Sequence, residues 1–112
     1  MKIGIDIQDV ERMKRLIGTP RMERIFSARE LRYLETKNFA PKTMAGLYAA
    51  KEAFFKAMGT GVLLSKLNRV EVLHSETGAP YLVCEELLPE GAEVSISISH
   101  TGQVAVAVCV VV

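Results

Sequence analysis

The stretch that most restricts this 112-residue chain is TMAGLYAAKEAFFKAM, residues 43–58, followed at once by Gly59-Thr60-Gly61. On a wheel of roughly 100° per residue, Met44, Leu47, Tyr48, Phe54, Phe55 and Met58 share one arc. Ala45, Ala49, Ala53 and Ala57 make a stripe of small side chains behind it. Apart from Thr43, the only strongly polar side chains are Lys51, Glu52 and Lys56, so no ordinary solvated face is left. A helix apolar nearly all round is a buried one, and the rest of the fold has to be assembled on it. It begins at Pro41 or Lys42 and ends at Met58, with Gly59 placed to take the C′ position. Buried charges are costly unless they meet partners, metals or charged ligands. Lys51 falls inside the large apolar arc. Glu52 and Lys56 sit side by side at its edge, where a plain i,i+4 ion pair would also account for them.

Around this helix the pattern is that of strands and short helices. KIGIDIQ, residues 2–8, alternates Ile3, Ile5 and Ile7 with Gly4, Asp6 and Gln8, so Asp6 projects away from the isoleucine face near a strand end. Residues 9–17 predict a short helix stopped by Gly18-Thr19-Pro20. SARE, residues 27–30, is a capping box with Ser27 at N-cap and Glu30 reaching back, a role sufficient by itself to explain Glu30. Beyond the long helix, VEVLH (70–74) and PYLVC (80–84) flank one hairpin, and EVSISISH (93–100) and QVAVAVCVVV (103–112) form another across His100-Thr101-Gly102. The order predicts a single α+β domain over residues 1–112, an antiparallel sheet of hairpins with helices packed on one face. The closing CVVV is apolar enough to expect burial, or a place at an oligomer interface.

Composition narrows the setting. Hydrophobic content of 49% without Trp predicts a folded globule, and no run approaches the ~18 apolar residues of a membrane span. The opening MKIGIDIQDV carries an acid at position 6 and does not resemble a signal peptide. Cys84 and Cys109 lie in apolar runs without metal-ligand spacing, which predicts reduced core thiols and a cytoplasmic protein. Net charge is only +1, yet residues 1–69 hold all fourteen Lys and Arg against seven acids, while residues 70–112 hold six acids and no Lys or Arg. Such asymmetry points to an anionic partner for one face. The densest basic run is Arg12, Lys14, Arg15, Arg21 and Arg24. Its lack of interleaved aromatics argues against single-strand nucleic-acid binding, although a non-catalytic basic module that grips nucleic acid or an acidic protein is the alternative to an enzyme.

Two hard carboxylates, Asp6 and Glu52, suit Mg²⁺, which is typically held by one or two carboxylates plus water and substrate phosphates. Lys51 and Lys56 supply positive charge, and His100 sits at a tight turn. Backbone amides around Gly59, Thr60 and Gly61 could approach a phosphate, because glycine leaves room. Together these residues could hold an anionic phosphate ester.

GIDI (4–7), FSARE (26–30), AAKEAFFKAMGTG (49–61), TGAPYL (77–82) and SISHTGQVAVAV (97–108), in that order, resemble the holo-(acyl-carrier-protein) synthases. These are the short, single-repeat class of 4′-phosphopantetheinyl transferases. The resemblance implies that family's fold, a homotrimer with active sites between subunits, and no role for nucleic acid or membrane. It implies Mg²⁺-dependent transfer of phosphopantetheine from coenzyme A to a serine of apo acyl carrier protein, in support of fatty acid biosynthesis. It further implies Asp6 and Glu52 as metal ligands, and Glu52 and Lys56 as catalytic groups. Coenzyme A would be bound by Lys51, Lys56, Gly59, Thr60, Gly61 and His100, and the carrier protein by Arg12, Arg15, Arg21 and Arg24. A metal-bound water or Glu52 would serve as the base. One position departs from the family: Leu47 stands where an arginine commonly grips the coenzyme A 3′-phosphate, so Lys42 or a neighbouring subunit would have to replace it.

Overall fold

The computed structural model describes all 112 residues. Strand β1 (Lys2–Asp9) leads into helices α1 (Val10–Lys14), α2 (Arg21–Ile25), α3 (Ala28–Thr36) and α4 (Pro41–Met58). A 3₁₀ segment (Leu64–Arg69) then precedes β2 (Glu71–His74), β3 (Pro80–Val83), β4 (Val94–His100) and β5 (Val104–Val111). The α+β expectation holds, with the strands divided between two antiparallel sheets: β1-β5-β4, and the hairpin β2-β3. Local chemistry sets the helix ends. Asp9 caps α1 by accepting from the Glu11 amide at 3.0 Å, the Ser27/Glu30 capping box opens α3, and Gly59 closes α4 in the left-handed conformation at φ 74°. The expected helix over 9–17 is shorter, ending at Lys14, and α2 and the 3₁₀ segment are additions.

Helix α4 lies across β1, β5 and β4, and its alanine stripe and apolar arc are buried there, Tyr48 and Met58 only in part. The alanines matter because α4 touches β1 backbone to backbone. A Cβ on Gly4 would stand 2.0 Å from the Ala53 carbonyl oxygen and 2.6 Å from the Ala57 nitrogen, so only glycine permits this approach. The pairing puts Gly4, Asp6 and Gln8 of β1, Cys109, Ala107 and Ala105 of β5, and Ile96, Ile98 and His100 of β4 on the α4 side. The other side carries Ile3, Ile5 and Ile7, then Val110, Val108 and Val106, then Ser95, Ser97 and Ser99. Asp6 does oppose the isoleucines, but the side with the carboxylate is the inner one. Ile3, Ile5 and Ile7 are 65%, 61% and 61% exposed in the single chain. The chain end follows the same alternation: Cys109 and Val111 are buried, while Val112 is exposed.

Lys51 has a different place from the one expected of a coenzyme A contact. It is fully buried, and its ammonium donates to Glu30 Oε1 at 2.6 Å and to the carbonyls of Leu67 and Val70 at 2.8 and 2.5 Å. Glu30 is equally buried and accepts from the Ser27 and Val72 amides at 2.9 and 2.8 Å. All three ammonium hydrogens are engaged, so none remains for a ligand. Burial pushes Glu30 up and Lys51 down, and the opposite charge beside each pulls it back. The pair ties α3, α4, the 3₁₀ segment and β2 together at one point. Glu30 is thus a cap and a counter-ion at once.

Candidate active site

Strand alternation sends Asp6 and Gln8 to the same side of β1, facing Glu52 on α4. Asp6 and Gln8 are each 7% exposed, and Glu52 is half-buried. The Gln8 amide nitrogen donates to Asp6 Oδ2 at 2.7 Å and to Glu52 Oε2 at 2.5 Å, so the two carboxylates share one donor. Lys56, one turn beyond Glu52, donates to Asp6 Oδ1 at 3.0 Å and to the Ile5 carbonyl at 3.1 Å, and stays half-exposed. Burial first, and the neighbouring Asp6 carboxylate second, push Glu52 up to about 7, while Lys56 and Arg12 pull the other way. Asp6, on the first strand, thus forms one cluster with Glu52 and Lys56, 46 and 50 residues further along the chain. Gln8 was visible in the sequence only as a polar member of an alternating strand.

The other expected ligand contacts are distributed differently. The amides of Gly59 and Thr60 are engaged in closing α4, donating to Lys56 O at 3.2 Å and Phe55 O at 3.4 Å. Of that turn, only the Gly61 amide is left to approach a phosphate. His100 makes no contact with the carboxylates. It lines a separate cleft of about 380 Å³ with Tyr33, Lys37, Lys42, Leu47 and His74 among its walls. His74 stacks on Tyr33 with ring centroids 3.9 Å apart, and burial foremost, then the nearby Lys37 charge, pulls its imidazole down. Leu47 is 1% exposed, a core residue forming part of that wall, while Lys37 and Lys42 bring the cations to it.

Arg12, Arg15, Arg21 and Arg24 are all exposed, and none forms an ion pair. Arg12, Arg15 and Arg21 border one cleft, Arg21 and Arg24 the next, and Tyr48 is common to both. Tyr48 precedes Glu52 by one turn of α4, so the basic patch adjoins the carboxylates. Its phenol is pushed up by burial and by Glu52, and drawn down by Arg21 and Arg12. A depression of about 530 Å³ between Ile17, Met22, Leu31 and Phe39 shares no residue with either cluster.

Residues 2–109 match the 4′-phosphopantetheinyl transferase superfamily. The chain belongs to that family. It is 42% identical over 113 residues to a holo-[acyl-carrier-protein] synthase of Alkaliphilus metalliredigens, covering 94% of this chain and 93% of the relative. A holo-[acyl-carrier-protein] synthase of Fusobacterium nucleatum is 34% identical over 117 residues, covering 97% and 96%. Among solved members of the family, the Bacillus anthracis holo-(acyl-carrier-protein) synthase in complex with CoA (3′,5′-ADP) is similar with a TM-score of 0.84 and 33% identity. Coverage is 98% of this chain and 94% of that one. The Helicobacter pylori enzyme in complex with coenzyme A gives a TM-score of 0.80 at 30% identity, covering 98% and 99%.

Proposed function

We propose that this chain transfers the 4′-phosphopantetheine group of coenzyme A to a serine of apo acyl carrier protein and releases adenosine 3′,5′-bisphosphate. The observation that carries the proposal is the meeting of Asp6, Glu52 and Lys56 beside an unpaired arginine patch, in a chain of this family. The donor set fits Mg²⁺: two hard carboxylate oxygens, no sulfur or imidazole, and no third His, Cys, Asp or Glu completing an all-protein cage. When bound, the ion neutralises charge on the diphosphate of the donor. Asp6 and Glu52 would hold it. Glu52, half-buried beside Asp6 and Gln8, would accept the serine proton through a water. Lys56 is held on one side by Asp6 and the Ile5 carbonyl, and its exposed side can meet the departing phosphate.

The arginine patch receives the acidic carrier, whose serine then reaches Glu52 past Tyr48. The nucleotide part lies in the cleft of His100, with Lys37 and Lys42 taking the phosphate that Leu47 cannot hold. That cleft and the carboxylates share no residue within one chain, which supports an active site shared between subunits. The outward Ile3, Ile5, Ile7 and Val106, Val108, Val110 face supplies the apolar surface for a homotrimer. No helix is long and apolar enough to cross a membrane.

Incubation with apo acyl carrier protein, coenzyme A and Mg²⁺, read by intact mass, tests the activity. A phosphopantetheine mass increment is expected for wild type and for neither Asp6→Ala nor Glu52→Ala, while both variants sediment as trimers. Near wild-type turnover in either variant at saturating Mg²⁺ would overturn the two-carboxylate site. A steep salt-dependent affinity for RNA, with no coenzyme A requirement for any activity, would favour the basic-module alternative.

A further inference from the structure

The Gln8 amide nitrogen lies in the gap common to both carboxylates, 2.7 Å from Asp6 and 2.5 Å from Glu52. Its two hydrogens satisfy one oxygen of each, setting a partial positive charge between two negative groups. The backbone fixes this placement, because β1 alternation directs positions 6 and 8 to the same side and α4 covers them. At 7% exposure the side chain has little water to turn to. On the other arm of the same amide is a neutral carbonyl oxygen, the kind of hard donor that Mg²⁺ and Mn²⁺ accept. Half a turn about the terminal torsion exchanges the arms without moving the backbone, and that torsion is broad and roughly two-fold.

We propose that Gln8 is a two-position member of the divalent-ion site: its NH₂ clamps Asp6 and Glu52 together in the metal-free protein, and its carbonyl oxygen turns inward when the ion enters. This rests on the reading of Asp6 and Glu52 as the metal pair. The physical driver is simple. A divalent cation between the carboxylates repels the NH₂ and attracts the carbonyl. Gln8 therefore keeps two like charges at ligand spacing before the ion arrives, then lends it an oxygen without adding net charge.

Mn²⁺ is the probe, titrated into the full-length protein without coenzyme A, with free ion read by electron paramagnetic resonance and melting followed in parallel. Gln8→Leu, of similar length but with neither arm, is expected to weaken Mn²⁺ roughly ten- to a hundredfold, the range for groups that support metal ligands. It should also lower the melting temperature of the metal-free protein. Gln8→Glu keeps the oxygens and loses the donor. It should melt lowest without metal, bind Mn²⁺ at least as tightly as wild type, and show the largest rise in melting temperature on adding it. A strut with no role toward the ion would lower the melting temperature in Gln8→Leu and leave its Mn²⁺ affinity at the wild-type value, which would overturn the proposal. So would a Gln8→Glu that loses Mn²⁺ as Gln8→Leu does, since the hydrogens alone would then be needed. Asp6→Asn separates the two levels. If it binds Mn²⁺ like wild type, or wild type shows no saturable binding, the metal pair itself fails, and Gln8 with it.

Discussion

Replacing Lys51 by methionine keeps most of the side-chain volume and removes only the ammonium. What remains is a fully buried Glu30 carboxylate with no counter-charge, and the carbonyls of Leu67 and Val70 without their donor. Removing one partner of a buried ion pair costs about 3–5 kcal/mol, because the surviving charge is left uncompensated. For a domain of this size that corresponds to a fall in melting temperature on the order of 10–25 °C, compared at one protein concentration because the proposed trimer would contribute. The deficit should depend on pH. Burial already holds Glu30 above its ordinary 4.5 with Lys51 present, and without the ammonium the carboxyl rises further. A carboxyl raised in the folded state favours folding while protonated. That contribution is complete below the unfolded value and is lost as pH rises through the folded one. The gap between mutant and wild type should therefore be small at about pH 5 and wide at about pH 8. Urea unfolding or calorimetry at the two pH values measures it. Lys51→Met with Glu30→Leu should recover only part of the loss: neither charge then remains, but the Ser27 and Val72 amides lose their acceptor and the Leu67 and Val70 carbonyls their donor. A Lys51→Met protein that melts like wild type but shows a raised KM for coenzyme A would refute this account. It would return Lys51 to the ligand-binding role that its place in the AAKE motif implies.

Charge reversal at Arg12 of α1 and Arg15, the residue that caps its end, neither with an acidic partner, should raise the apparent KM for carrier protein, with wild-type rates falling as salt rises. A shift in coenzyme A dependence instead would assign the patch to the nucleotide. Lys42→Ala together with Lys37→Ala should reduce the kcat/KM preference for coenzyme A over 3′-dephospho-coenzyme A by roughly ten- to a hundredfold, the worth of a charge-assisted contact. An unchanged preference would mean that these lysines do not hold the 3′-phosphate. Gly4→Ala should lose transfer through displacement of α4 from β1, and should disturb the circular dichroism of the helix little. Full activity there would show that the close approach is dispensable.

Much of this fold was legible because its signals are local. The capping box, the Gly59 terminus and the alternation in β1 each depend on a few adjacent residues. Both hairpins followed from strand runs separated by short turns. The site was legible in part: Asp6, Glu52 and Lys56 could be named from their residue types and motif. Their meeting could not be derived, because it depends on how α4 crosses β1. Lys51 shows the limit most clearly. A wheel places it in an apolar arc, but its partner lies twenty-one residues earlier, in a residue already explained by a cap. The isoleucine strand shows another. Alternation separates two faces without saying which one a helix covers, and here the row with the larger hydrophobic side chains is the open one.

That inversion follows from what β1 has to do. A strand of isoleucines pressed against α4 would hold the helix at a side chain's distance and keep the carboxylates apart. Turning Gly4 inward lets the backbones touch, with Ala53 and Ala57 supplying the matching small surface. Asp6 comes two residues after that contact on β1, and Glu52 one residue before it on α4. The close approach therefore sets the distance across which a single amide spans both carboxylates. The alanine stripe and Gly4 thus serve the carboxylate cluster as much as the core. The same turn sends Ile3, Ile5 and Ile7 outward, onto the open face of the sheet. Positioning the carboxylates and exposing an apolar row are thus two consequences of one register in β1.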